Sequence, residues 1–235
     1  LKAEGTAADP VVFTSFSDDT YAGDTNQDAT TTSPSAGNWK VIAVLANGSS
    51  FYHAVVRYGG SGGLCVYCAN IYAANAALNI KNSTIEKSGV YGAWYKDASG
   101  TIDASAFREN NAASDGRGIV AERSRMEIKN STFANNKVGV LVSEESPAAG
   151  STAISGNAFT GNADAAMSIS NAYPSFSGNA ASGNGFNGVR MTVLLDRDYT
   201  LPFDLPYMVA GGNITVPEGK KLTMQSKNFL AANSK

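Results

Sequence analysis

The apolar positions of this chain fall into short runs that return at a fixed offset. One apolar residue is followed by another five places on, and three further on comes a small or polar residue. Ile80, Ile85 and Ser88 follow this frame, as do Ile102, Phe107 and Asn110. So do Ile128, Phe133 and Asn136, and Ile154, Phe159 and Asn162. Phe51, Val56 and Gly59 fit it before them, and Phe176, Ala181 and Asn184 after. The leading residues are spaced by 29, 22, 26, 26 and 22 positions. A second apolar run trails each rung: GVYGAW at 89–94, GIVA at 118–121, GVLV at 139–142, AMSI at 166–169 and GVRM at 188–191. Each period thus supplies two or three short strands parted by polar turns. It is too short for a four-stranded propeller blade and lacks the amphipathic helices of helical arrays. The economical solution is a parallel β-solenoid, in which coils pair with those above and below and inward Ile, Val and Phe stack into one core. About ten coils at roughly 4.8 Å each predict a rod on the order of 50 Å long.

Asn110, Asn136, Asn162 and Asn184 recur where the chain must turn. Asn tolerates left-handed backbone geometry, and stacked Asn side chains bond one another along a cross-β axis. The column is therefore expected to be structural. The Asn-x-Ser/Thr sequences at Asn82 and Asn130 sit in the same frame, and turn geometry accounts for them as well.

The repeated I-x-N-S-x-F-x-x-N-x-x-G-V pattern resembles the right-handed parallel β-helix repeat proteins that bacteria secrete or display. The run LKAEGTAADPVVFTSFSDDTYAGDTNQD and the later FYHAVVRYGG are similar to the module that begins many such surface proteins. The resemblance implies an all-β right-handed parallel β-helix over 1–235. It would comprise N-terminal coils over 1–60 with an acidic loop at 17–38, repeat coils over 61–195 and C-terminal coils over 196–235. It also implies an extracellular or bacterial cell-surface location. Such coils serve lyases, hydrolases, adhesins and stalks alike, so the fold leaves the activity open. In the similar proteins, a run like YMVAGGNITVPEGKKLT, here near 207–223, precedes one like LKAEGTAADPVVFTS, here at residue 1. The order is inverted in this chain. Three readings follow: one period of a longer array, copies of the chain stacking head to tail, or a monomer whose ends are blunted by loops.

Charge narrows the partners. The formal net charge is −2 and no basic patch is evident, which argues against nucleic acid. No apolar run approaches the roughly 18 residues of a membrane-spanning helix. Sparse charge, abundant Ser, Thr, Asn and Gly and a single histidine read as extracellular. No basic segment with an apolar core opens the sequence, so any secretion signal lies outside these residues.

Candidate chemistry is scattered. Asp24, Asn26 and Asp28 form D-x-N-x-D, a spacing that lets alternating oxygens converge on a hard cation such as calcium. Gln27 and Ala29 stand where similar proteins carry glycine, and Ser35 occupies the twelfth loop position in place of Glu. A solvated acidic loop with Asx turns is the alternative. Cys65 and Cys68 are the only cysteines; a local disulfide or two buried thiols both fit, and no helix is expected there to activate a redox pair. Tyr91, Trp94 and Tyr95 could stack on surface glycans, unless alternate members of that strand belong to the core. His53 is the lone imidazole and reads as structural, while Arg57 and Tyr58 read as outward-facing strand residues. A glycosidase needs two carboxyls about 5 to 9.5 Å apart. Acids do not recur at one offset here: Tyr52, Lys81, Asp103, Lys129, Ser155 and Ser177 follow the register residues. Asp18, Asp19 and Arg57 hold the residue types of a lyase centre with nothing in the sequence to bring them together. The reading is a non-catalytic structural or adhesive solenoid, with a polysaccharide-active or carbohydrate-binding β-helix as the alternative and no catalytic residue assigned.

Overall fold

A computed structural model describes residues 1–61, 67–111, 113–145, 151–225 and 230–233, with the backbone alone at 210, 211 and 230–233. Three parallel sheets wind around one axis. The first runs from Lys2–Glu4 through Ser49–Tyr52, Leu78–Lys81, Ser99–Asp103, Arg125–Lys129 and Ala153–Ser155 to Ser175–Ser177. The second runs from Val11–Phe13 through Ala54–Arg57, Thr84–Glu86, Ala106–Arg108, Thr132–Ala134 and Ala158–Thr160 to Ala180–Ser182. The third extends from Ile42–Val44 to Leu230–Asn233 and includes Ala69–Ala74, Tyr91–Lys96, Arg117–Glu122 and Val138–Ser143. Tyr199–Leu201 and Leu222–Met224 form a separate two-stranded sheet. The parallel solenoid is as expected, but it makes about seven turns, not ten. The first turn takes 48 residues, from Ala3 to its partner Phe51, because a long loop intervenes between Phe13 and Ile42. Seven turns at roughly 4.8 Å give a spiral about 35 Å long.

The register follows the apolar frame. Phe51, Ile80, Ile102, Ile128, Ile154 and Phe176 pair successively in the first sheet. Val56, Ile85, Phe107, Phe133, Phe159 and Ala181 do so in the second. Stacking of equivalent side chains is most regular at Phe107, Phe133 and Phe159, whose rings lie 5.4 and 5.0 Å apart and nearly parallel. Glycines early in the facing strands of the third sheet make room for them. A Cβ at Gly118 would lie 2.9 Å from Phe133 Cδ1, and one at Gly139 would lie 2.5 Å from Phe159 Cδ1. Burial of one such ring stabilises the spiral by about 1.5–3 kcal/mol.

Polar ladders seal the corners. Asn110 Nδ2 donates to Asn136 Oδ1 at 3.0 Å, Asn136 to Asn162 at 3.2 Å, and Asn162 to Asn184 at 2.8 Å. The same amides donate to the backbone carbonyls of Ile85, Phe107 and Phe133. Left-handed geometry belongs to the residue before each ladder Asn: Glu109, Asn135, Gly161 and Gly183 have φ between 54° and 65°. A second ladder runs through Ser83, Ser105, Ser131, Asn157 and Asn179 to Asp204. Its preceding column, His53, Asn82, Ala104, Asn130, Gly156 and Gly178, is again left-handed, with φ of 46–66°. One residue turns the chain and the next holds the turn through its neighbour, so buried backbone donors find partners without a long loop.

Candidate functional site

The period breaks first in the loop between Phe13 and Ile42. Trp39 pins it to the spiral: its indole donates to the Arg57 carbonyl at 2.9 Å, and its ring occupies the space a Cβ on Gly59 would need. Beneath the loop lies a charged clamp. Arg57 and Tyr58 are buried, not outward-facing as their strand position predicted, because the loop covers them. Arg57 Nε sits 3.3 Å from Asp18 Oδ2 and 3.6 Å from Glu86 Oε1, while Arg108 Nε reaches Glu86 Oε2 at 2.7 Å. The guanidinium also donates to Tyr58 Oη at 2.7 Å and lies over the Tyr21 ring. Burial pushes the Asp18 carboxyl upward, but hydrogen bonds from Thr14 and Thr20 and the nearby Arg57 outweigh it and hold its pKa below the ordinary value. The structure thus joins Asp18 to Arg57, which the sequence left separate. Because the Asp18 side chain is fully covered, the pair is shaped to fasten the loop, not to meet a polymer.

Above the clamp, Asp19, Asp24 and Asp28 each bring an oxygen within 4.8 Å of the others. Asp24 and Asp28 meet as the D-x-N-x-D spacing predicted. Asn26 lies beside them: its amide donates to Asp28 Oδ2 and to Thr32, and its Oδ1 accepts from the Asp28 backbone N–H. Asp19 takes the third place, and no spacing rule in the sequence pointed to it. Burial, then the charges of Asp24, Asp28 and Asp18, raise the Asp19 pKa. Asp19 Oδ1 and Asp28 Oδ1 are buried without a hydrogen-bond partner, the condition a hard cation would relieve. Asp19, Asp24 and Asp28 are therefore the residues that would hold calcium.

The aromatic candidates divide. Tyr95 is fully buried and donates to the Leu78 carbonyl, so it belongs to the core and leaves the glycan-facing set. Strand alternation dictates this: Ala93 and Tyr95 point to the axis, Trp94 and Lys96 away from it. Tyr91 and Trp94 lie on the outer face with Tyr72 and Tyr67. These rings meet edge-on or tilted, with centroids 4.8–5.9 Å apart. Trp94 donates to Glu122 Oε2 at 3.2 Å and lies beneath Lys96. Tyr67 is the most exposed of these rings, at 45%. Cys68 is buried at the start of the Ala69–Ala74 strand; Cys65 lies outside the described residues. His53 occupies a left-handed corner, its Nε2 3.3 Å from the Asn82 amide.

Among the described residues the outermost strands of the spiral are partnered on one side only. Lys2–Glu4, Val11–Phe13 and Ile42–Val44 form one edge. Leu1 and Leu45 are 55% and 68% exposed beside it, and Val11, Phe13 and Ile42 cover the core incompletely. Toward the other end Leu194, Val216 and Met224 are 57%, 46% and 44% exposed, with Ile214 and Leu222 half-buried.

A family profile described as a right-handed β-helix region matches residues 65–194, more than half of the chain. The chain belongs to the right-handed β-helix family. Among solved structures, this β-helix is similar to full-length tailspike protein 2 from the Escherichia coli O157:H7 bacteriophage CAB120. The two share 14% identity over 84% of this chain, with a TM-score of 0.46. The similarity spans 30% of the tailspike's length. None of the curated proteins matches this β-helix by sequence. No helix among the described residues is long and apolar enough to cross a membrane.

Proposed function

We propose that this β-helix is a non-catalytic structural or adhesive element exported to a cell surface or extracellular fibre, where it extends by stacking end to end on a second copy. The observation that carries the reading is the pair of outermost strand sets, each partnered on one side only among the described residues and flanked by half-covered apolar side chains. A strand edge of this kind templates further strands. All named sheets are parallel, so the first edge complements the last and not itself. Association is then heterologous and does not close, the geometry of a filament. The order of the terminal runs supports the same partner, since the C-terminal run resembles the one that precedes the N-terminal run in similar proteins. An oxidised Cys65–Cys68 bridge and a calcium-closed acidic loop fit an exported protein, and both belong to this proposal.

Sedimentation velocity across a concentration series, with negative-stain micrographs of the same samples, tests it. The expected result is rods that lengthen in steps of one spiral, and their loss in Leu45→Lys, which places a charge on the first edge. Uniform single particles at the highest concentration would overturn the reading.

A further inference from the structure

Strand pairing carries one register from the first rung of the spiral to the last. In the third sheet each partner hands on to the next, so Ile42, Ile71 and Ala93 share a column with Val189, Tyr207 and Leu230. In the first sheet a column runs from Ala3 through Phe51 and Ile128 to Phe176. Two later residues extend it. Asn179, three residues after Phe176, bonds to Asp204, three residues after Leu201. Leu201 therefore takes the next place, and Met224, with which it pairs, the one after. Met224 shares the inward face of buried Leu201, yet it is 44% exposed, and no strand lies over it among the described residues. At the opposite edge Ala3 is the one alanine of the same column. It is 3% exposed, while Val11, Phe13 and Ile42 of that edge are only partly buried. A small residue among larger ones leaves a recess, and a long, flexible Met is suited to fill one.

We infer that a second copy seats on this edge in one register, with its Ala3 over Met224 and its Ile42 over Leu230. This register presupposes the end-to-end stacking proposed above and fixes which surfaces meet. The two columns, joined by separate stretches of chain, give the same placement. A slip by one residue would turn the inward side chains of the incoming strands outward. The second sheet takes no part, since it ends at Ala180–Ser182, two rungs short of Met224. Backbone pairing along the first and third sheets supplies the attraction, and the Met224 side chain selects the register. Lys2 and Glu4, already paired at 3.7 Å, stay on the outer flank, so the seam buries no charge.

Disulfide trapping tests the register. With Lys2→Cys and Thr223→Cys on one chain, neighbouring copies bring the two Cα atoms about 4.8 Å apart, inside the range a disulfide spans. Lys221→Cys in place of Thr223→Cys offsets the pair by two residues, to about 8 Å, outside that range. Mild oxidation is expected to give a covalent ladder on non-reducing gels from the first variant, and none from the second or from the parent chain. Met224→Asp adds a charge at a position exposed in the single spiral. It should weaken association at least tenfold in sedimentation velocity with an unchanged melting temperature. Rods that cross-link through Lys221→Cys and not through Thr223→Cys would overturn the register and leave the stacking reading standing, as would rods that Met224→Asp does not weaken. A parent chain that forms no rods would remove that reading, and the register with it.

Discussion

The middle rungs and the terminal rungs share one backbone path and differ in what closes them. Between Leu78 and Ser155, strands of the first sheet have partners on both sides, inward residues lie on their equivalents, and corner side chains bond to the next rung. At Val11–Phe13 and Ile42–Val44 the same pattern lacks its neighbour, and core residues become half-exposed. In a solenoid each unit is stabilised only by adjacent units, so the interior is uniform and the differences gather where the period fails. Here it fails at the outermost strands and at the loop before Ile42.

Equivalent truncations should measure that contrast. Phe133 is fully buried between two stacked rings. Phe133→Ala is expected to cost about 3–5 kcal/mol in urea unfolding. Phe13 is partly buried and meets Phe51 from one side, at 5.8 Å between centroids. Phe13→Ala should cost less than half as much; equal losses would mean the first rung is as fully enclosed as the middle. The ladder gives a smaller pair. Asn136 Oδ1 receives both the backbone N–H and the amide of Asn110. Asn136→Ala orphans a buried donor and should cost about 1–3 kcal/mol. Asn184 ends the column: it accepts the same two bonds from Asn162 but is half-buried and turns its own amide to Asn187, so water can reach the freed donors and its Ala variant should fall at the lower end, about 1 kcal/mol. Calorimetric melting of both variants would show whether the ladder gains strength from its length.

Much of the fold was legible because stacking forces equivalent residues into one register. Ile102, Ile128 and Ile154 could be aligned by eye and are paired in space. The Asn column was legible for the same reason, although its left-handed residue stands one place earlier. The Ser83–Asn179 ladder was hidden because the column changes from Ser to Asn partway along it, so no single letter marks its whole length. The coil count was overestimated in part because the first turn takes 48 residues, about two periods, for one coil. Functional residues were least legible. Arg57 lies in a strand whose alternation points it outward, and only the returning loop covers it. Asp19 joins Asp24 and Asp28 through that loop's path, which no spacing reveals. Tyr95 was not separable by alternation alone, since Tyr91 shares its parity and lies outside; the pairing of Ala93 with Ile119 in space decides it.

The loop supplies the subtlest contrast, since two groups of acids a few residues apart respond oppositely to protons. Asp18 has a depressed pKa, so the clamp contributes stability above the ordinary carboxylate value near 3.8 and loses it as pH falls through a lower one. Asp19 has a raised pKa, so its charge is resisted at neutral pH, and a proton relieves the cluster before it reaches the clamp. A cation would relieve the same strain. Titration calorimetry at neutral pH should therefore show calcium heat in the parent chain and none in Asp24→Ala or Asp28→Ala; unchanged heat in both variants would remove the site. On acidification the calcium heat should fade first, as Asp19 takes up its proton. Fluorescence of Trp39, read in a Trp94→Phe background, should hold until the lower pH at which Asp18 lets go of Arg57. If both signals instead fell together, the cluster and the clamp would be one titrating unit, and the loop would be fastened by its carboxylates jointly and not by Asp18 alone.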